Sequence, residues 1–511
     1  MALYFESYML DLLAVVTTLL AVGYAYVAWT FRYWKKKTVP HFDPVVPWGN
    51  FENPLNRTVS VSEDITRLCQ RAKAKGWKYF GIYSMTQVKL VVLDLDLVKR
   101  IMTKDFQSFA DRGAYTNEKN DPLSAHLFAI GGPKWRLLRT KLSPTFTSGK
   151  MKSMFGALAD CGLLLEKYIR NNVDNVKGND IKEFVGKFSM DVIGSCAFGL
   201  QFNSFTDRNS PFRTYGRKVF DSNSYLDLKF AIANAFPKIS RAVGIAITPK
   251  DTSDFFRKVI EDTITYRCKN NVTRNDFLHL LLELMDQNTN NGTKNGKEQS
   301  LAMDAAAAQC FFFFLAGFET SSTTMTFTLY QLALNQNVQD RVRNEIKTVL
   351  AKHGNQITYD ALNELKYMKQ VIDESLRIHA PLPFITRQAV EDYKLPGDDV
   401  VIEKGTTVLI PIQAIHMNEV AYPNPSNFDP ERFNKENKMR RHPYAHIPFG
   451  QGPRICIGER FGIMQTKVCL TSILKNFRVT LNRKTKTPLK LCTKGFFLAA
   501  AEGIWLNIEQ L

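Results

Sequence analysis

The chain has 511 residues, 45% hydrophobic and 23% charged, which excludes a disordered or fibrous protein. Its eight cysteines are too sparse for a disulfide scaffold, and the absence of a Cys-x-x-Cys pair argues against a structural zinc site. Lys and Arg outnumber Asp and Glu by 67 to 49; the net +18 suits an acidic partner or an anionic membrane, but no basic run resembles a nucleic-acid arm.

At the N-terminus, Leu12 to Phe31 carries no charge. As a helix it reaches about 30 Å, the hydrocarbon thickness of a bilayer. Arg32 and Lys35–Lys37 follow it, while only the acids Glu6 and Asp11 precede it. The spacing predicts a membrane anchor over residues 1–31, with the body of the protein, about +20, on the cytosolic side. A cleaved signal lacks support because there is no basic leading region, and a mitochondrial presequence would be rich in Arg and poor in acids. Residues 32–50, with Pro40, Pro44, Pro47 and Gly49, read as a basic, proline-rich hinge. Residues 51–511 contain no second linker and no repeat, and read as one large domain, mainly α with small β-sheets. Strands are expected at Val88–Leu93, Val400–Ile402, Thr407–Ile410 and Phe496–Ile508, a polar loop at Asn288–Lys297, and a long helix from Ala302 to about Leu334.

Four segments carry candidate chemistry. Trp135 and Arg139 stand at i,i+4 on a basic helix (Lys134 to Lys141), a pattern that by itself also fits a packed Trp beside a solvated Arg. Ala316-Gly317-Phe318-Glu319-Thr320 places small residues inside the long helix, where Thr320 can bond back to a carbonyl and Gly317 removes bulk, opening a groove. Glu374 and Arg377 share a face at i,i+3, which alone reads as an ordinary surface ion pair. The fourth is Phe449-Gly-Gln-Gly-Pro-Arg-Ile-Cys-Ile-Gly458. Gly450, Gly452 and Gly458 allow positive φ and close approach to a flat ligand, and Phe449 offers an apolar wall. Backbone N–H groups and Arg454, two residues from Cys456, are expected to favour the thiolate.

The fourth segment matches every fixed position of Phe-x-x-Gly-x-Arg-x-Cys-x-Gly, and on it the chain resembles the cytochrome P-450 superfamily. The stretches Met190–Phe198 and Phe461–Lys467 make it most like insect microsomal, xenobiotic-metabolising members; Ile455, where Asn is more usual, is a departure at a position that is not a ligand. The resemblance implies the cytochrome P-450 fold, haem b as cofactor and Cys456 as the axial ligand of its iron, with a thiolate that favours O–O cleavage. It implies haem contacts from Trp135, Arg139, Arg387, Arg454, Phe449, Ala316 and, less directly, Arg112 in Phe109-Ala-Asp-Arg112. It assigns Thr320 and Glu319 to proton delivery. It also groups Glu374, Arg377 and Arg432, the last from Pro430–Phe433, into a structural triad.

The implied activity is insertion of one oxygen atom of O2 into lipophilic small molecules, either xenobiotics or endogenous lipids and hormones. No strand followed by Gly-x-Gly-x-x-Gly offers a site for NADPH, so electrons are expected from NADPH through a separate flavoprotein reductase. Cytochrome b5 is a second candidate donor, and the endoplasmic reticulum membrane is the implied location. The basic body suits docking of an acidic partner, with Lys134 and Lys141 as candidate contacts. His126, Phe128, Phe312, Leu382, Phe384, Ile385, Phe496 and Phe497 fall where the family lines its pocket, although core packing reads equally well for each. The rival functions are a haem-thiolate isomerase or dehydratase acting on peroxides without external electrons, which does not need Glu319 and Thr320, and a non-catalytic haem carrier.

Overall fold

In the computed structural model of the chain, which describes residues 2–172, 178–200, 202–207, 210–220, 224–274, 276–279, 281, 296–495 and 497–511, the N-terminal apolar run forms helix α1 (Ala2–Thr30). Every residue from Tyr8 to Tyr26 is exposed, and Tyr8–Lys36, which contains an 18-residue window of mean hydropathy 1.9, is long and apolar enough to cross a membrane. The helix breaks at Phe31 and Arg32. Within the next turn (Tyr33–Lys36), Trp34 is only 1% exposed. Its indole Nε1 donates to the Ile82 carbonyl (3.2 Å) and its backbone N–H to the Tyr83 hydroxyl (3.0 Å), which itself donates to the Phe31 carbonyl (2.8 Å). Val39 and Phe42 are also buried, so residues that read as a hinge are packed onto the body.

Gly81 makes this packing possible: a Cβ there would stand 2.3 Å from Trp34 Cγ. Gly81→Ala is therefore expected to dislodge Trp34 at a cost of about 1–3 kcal/mol. Thermal unfolding should report the loss, and trypsin should cut faster at Arg32 and Lys35–Lys37.

The strand beneath this contact belongs to a four-stranded sheet ordered β1 (Tyr79–Ser84), β2 (Gln87–Val92), β7 (Thr407–Ile410) and β4 (Ile385–Gln388). β2 and β7 pair in parallel with Leu90 opposite Val408, and Arg387 on β4 lies opposite the same residue. The period-2 pattern explains why the sheet is buried on both faces: Leu90, Val92, Val408 and Ile410 enter one core, while Val91 and Leu409 join Phe80 and Ile82 in another. A second sheet orders β3 (Asn179–Asp180), β9 (Trp505–Gln510) and β8 (Phe477–Leu481), and β5 (Tyr393–Lys394) pairs β6 (Val401–Ile402). The expected strand over Phe496–Ile508 is thus shorter. Its first residue lies outside the described residues, Leu491 and Ala500 form only an isolated bridge, and pairing begins at Trp505.

The helices that position the site are α2 (Gly132–Leu142), α3 (Ile181–Ile193), α4 (Gly296–Leu334), α5 (Lys366–Ile378) and α6 (Glu459–Leu474). α4 starts earlier than expected, because Gly296 and Lys297, read as loop, are helical; residues 288–295 of that loop lie outside the described residues. From Ala306 onward α4 is buried on nearly every side, between α3 and α6, which is why its sequence shows no polar face.

α5 corrects the surface reading of its charges. Glu374 and Arg377 are both fully buried, and the guanidinium forks onto the carboxylate (Nε–Oε2 2.7 Å, Nη2–Oε1 2.8 Å). Arg377 also donates to the His416 and Pro425 carbonyls (3.1 and 2.7 Å). Arg432, in the 3-10 turn Pro430–Phe433, completes the group with Nε 3.5 Å from Glu374 Oε1, while its Nη2 holds the Pro423 carbonyl (2.7 Å).

Candidate functional site

A cavity of about 1500 Å³ lies between α4 and the cysteine loop. Typical small-molecule pockets measure about 300–1,000 Å³, so there is room here for a large flat group and a second molecule. Cys456, Phe449, Arg454, Trp135, Arg139, Arg112, Ala316, Glu319 and Thr320 all contribute to its wall, as do His126, Phe128, Phe312, Leu382, Phe384, Ile385 and Phe497. Phe496 lies outside the described residues, and Arg387 stands behind the wall, fully buried.

On the cysteine side, Gly450 and Gly452 have φ of +73° and +74° as expected. At Gly452 any Cβ would meet the Met102 carbonyl oxygen at 2.0 Å, so glycine is required by a close backbone approach as well. Gly458 differs from expectation: its φ is −93°, and its role is to donate its N–H to Cys456. The Cys456 N–H donates to the Phe449 carbonyl (2.9 Å), closing the loop. Burial pushes the Cys456 thiol up; the Gly458 N–H and the charges of Arg139 and Arg112 pull the other way.

The expected cation beside the sulfur, Arg454, is not the one the fold supplies. Its guanidinium points away, donating to the Ala110 (2.8 Å) and Ile130 (2.9 Å) carbonyls, lying 3.5 Å from Asp111 Oδ1 and stacking 3.9 Å over Trp135. Arg454 leaves the sulfur because these partners, all remote in sequence, satisfy it.

The arginines form a cluster short of anions. Arg112 Nε and Nη1 and Arg387 Nε and Nη2 are buried without a hydrogen-bond partner. Burial, then the charges of its arginine neighbours Arg387 and Arg139, hold Arg112 well below its ordinary value; burial and Arg454 bring Arg387 down to about 9. Buried cations of this kind are stable only against anions. A ligand carrying two carboxylates and a metal for the sulfur, as haem does, meets both demands, so the residues present fit that group.

On the opposite wall, the Thr320 hydroxyl donates to the Ala316 carbonyl (2.6 Å), as the i,i+4 spacing suggests. Gly317 serves packing as well as the groove, because a Cβ would meet Ile193 Cδ1 of α3 at 2.4 Å. Ser189 of α3 donates to the Phe318 carbonyl (3.0 Å). Glu319 is 6% exposed and paired with Lys182 of α3, Nζ to Oε1 2.5 Å. Sequence reasoning missed Lys182 and Asp111, since no spacing rule links either to its partner. Lys134, a candidate docking contact, is exposed and pairs with Glu118 (2.9 Å).

Comparison with known proteins agrees with this geometry. The cytochrome P450 family model matches residues 46–507. "Probable cytochrome P450 6a14" of Drosophila melanogaster is 40% identical over 514 residues, covering 98% of this chain and all of the relative. "Cytochrome P450 6a2" of Drosophila melanogaster is 39% identical, covering 98% and 99%, and "Cytochrome P450 6A1" of Musca domestica is 39% identical, covering 99% of each.

Proposed function

The chain belongs to the cytochrome P450 family, an oxygen-incorporating oxidoreductase that uses haem b, and on that premise we propose that it oxidises lipophilic small molecules with electrons passed from NADPH by a separate reductase. The observation that carries the reading is a cysteine on the wall of an apolar cavity together with buried arginines, Arg112 on the wall and Arg387 behind it, each with two guanidinium nitrogens lacking a hydrogen-bond partner.

In this reading Cys456 would ligate the haem iron, and Arg112, Arg139, Arg387, Arg454 and Trp135 would hold the propionates. Ligation would require the Cys456 thiolate, so its proton would be released to solvent. Bound haem supplies the activation of O2 and the transfer of one oxygen atom to substrate. The chain's own residues do the rest. Phe128, Phe312 and Phe449 keep the cavity apolar, so that lipophilic molecules displace water from it. The Thr320 hydroxyl, already turned toward the Ala316 carbonyl, can pass a proton at Oγ1, and Glu319, tied to a partly exposed lysine, connects it to solvent.

Residues 1–31 are assigned as an anchor in the endoplasmic reticulum membrane, 32–50 as its packed junction and 51–511 as the cytosolic catalytic domain. The basic body receives the acidic reductase, and cytochrome b5 is assigned as a second donor to the same surface. Metabolism of xenobiotics is the role assigned on the resemblance carried by Met190–Phe198 and Phe461–Lys467.

Two tests follow. Reconstitution with reductase and NADPH against a panel of lipophiles should yield oxygenated products by mass spectrometry. Products formed only from organic hydroperoxides, without reductase, would favour the isomerase instead. Arg387→Met should raise the melting temperature of the haem-free protein by removing an unpaired buried cation. It should also speed haem transfer to apomyoglobin about tenfold or more, through loss of a charge-assisted hydrogen bond.

A further inference from the structure

One polar ring of the cavity lies among phenylalanines. His126 lies flat on Phe312, ring centroids 4.2 Å apart and planes 7° apart, and Phe128 is 5.7 Å from the same ring. Phe312 precedes Ala316 by one helical turn, so the imidazole sits beside the groove of α4. Its Nδ1 is buried with no hydrogen-bond partner.

The backbone on both sides of the ring is clamped by a single side chain. Gln309 of α4, 2% exposed, accepts from the Leu127 N–H (2.8 Å) and donates to the Ala125 carbonyl (3.3 Å). The His126 carbonyl accepts from the Ala129 and Ile130 N–H groups (3.0 and 3.1 Å), and Arg112 lies over Phe128 at 4.1 Å. The imidazole is therefore pre-aimed rather than free to turn. Burial brings its pKa down to about 3, so the ring is neutral at physiological pH, with one donor and one acceptor nitrogen.

An ordinary core histidine finds partners within the protein, because an unmade hydrogen bond in a desolvated site is costly. Here the protein fixes the ring and, among the described residues, supplies no partner for Nδ1. We propose that His126 is the hydrogen-bonding point that selects and orients substrate, and that the cavity takes lipophilic ring systems bearing a neutral hydroxyl, which that imidazole holds. This rests on the function proposed above and names a substrate class for it. Aromatic walls set the affinity for the hydrophobic body, while the hydrogen bond to His126 discriminates between analogues of equal shape, since a site built to bond a hydroxyl rejects the isostere lacking it.

The test uses the haem-loaded full chain with 4-hydroxybiphenyl and 4-methylbiphenyl, two ligands of nearly equal volume. Binding is followed both by the Soret shift and by quenching of tryptophan fluorescence. The wild-type protein should bind the hydroxyl compound about tenfold or more tightly than the methyl compound. His126→Phe, which keeps the stack on Phe312, should bring the two within about twofold without weakening the methyl compound, and His126→Gln should retain part of the preference. A wild-type protein without preference, or a His126→Phe variant that keeps the full ratio or loses both ligands equally, overturns the proposal. The carbon monoxide difference spectrum of the same samples reports separately on haem–thiolate ligation. If that band is missing, the function proposed above fails while the fluorescence ratio still decides the role of His126.

Discussion

Replacing Cys456 with Ala will abolish the strongly red-shifted Soret band of the reduced carbon monoxide complex and, with it, all NADPH-dependent oxygenation. The expectation is this severe because, among the described residues, Cys456 is the cysteine of the cavity wall on which the charges of Arg112 and Arg139 act; Cys196 and Cys492 also border the cavity. The change removes a sulfur and leaves the loop's other contacts in place, since the hydrogen bond from the residue 456 N–H to the Phe449 carbonyl involves only backbone. Far-ultraviolet circular dichroism should therefore show unchanged helix content. A variant that keeps the band would place the ligand elsewhere; a variant without band or helix would be a folding failure, and reconstitution of Cys456→Ser then separates the two.

The second large effect is on folding. Glu374→Ala is expected to prevent accumulation of folded protein, or to lower its melting temperature by several degrees. Glu374 Oε1 accepts from Arg377 Nη2 and from the Asp429 N–H (2.9 Å), and Arg432 lies against it, so one substitution leaves two guanidinium groups and a backbone donor without their acceptor. Breaking one partner of a buried pair costs about 3–5 kcal/mol, a large part of the 5–15 kcal/mol that typically holds a domain together. Asp399→Ala provides the control: its pairing with Lys394 (2.8 Å) is fully exposed, and its loss should leave the melting curve unmoved. Equal effects at the two positions would contradict the buried triad.

These two expectations differ in how much of them was legible beforehand. The cysteine loop was readable because its chemistry is contiguous: ten residues carry the sulfur, the glycines and the aromatic wall, and positive φ at Gly450 and Gly452 is a local demand. The pairing of Glu374 with Arg377 was readable as geometry, because i,i+3 residues share a helix face. Its importance was not, since spacing alone cannot distinguish a solvated face from one covered by the Pro430–Phe433 turn. The same limit misled the assignment of Arg454. Two residues from Cys456 in sequence, it is engaged by carbonyls at Ala110 and Ile130 and by the Trp135 ring, and the arginine charges that lower the Cys456 thiol are those of Arg139 and Arg112.

The amino-acid sequence by itself determined the family, the haem–thiolate chemistry, the apolar N-terminal helix and the mainly helical architecture, because each is written in short-range pattern: fixed spacing, periodicity, or an uncharged run. Packing of distant segments fixes that Lys182 holds Glu319, that Trp34 seats the junction on Gly81, and that His126, stacked on Phe312, stands at the cavity with Nδ1 lacking a hydrogen-bond partner among the described residues. The physical reason is that electrostatic neighbours and desolvation belong to the packing of elements remote along the chain. Burial turns an ordinary histidine into a neutral, unsatisfied group and four scattered arginines into a site that requires an anion.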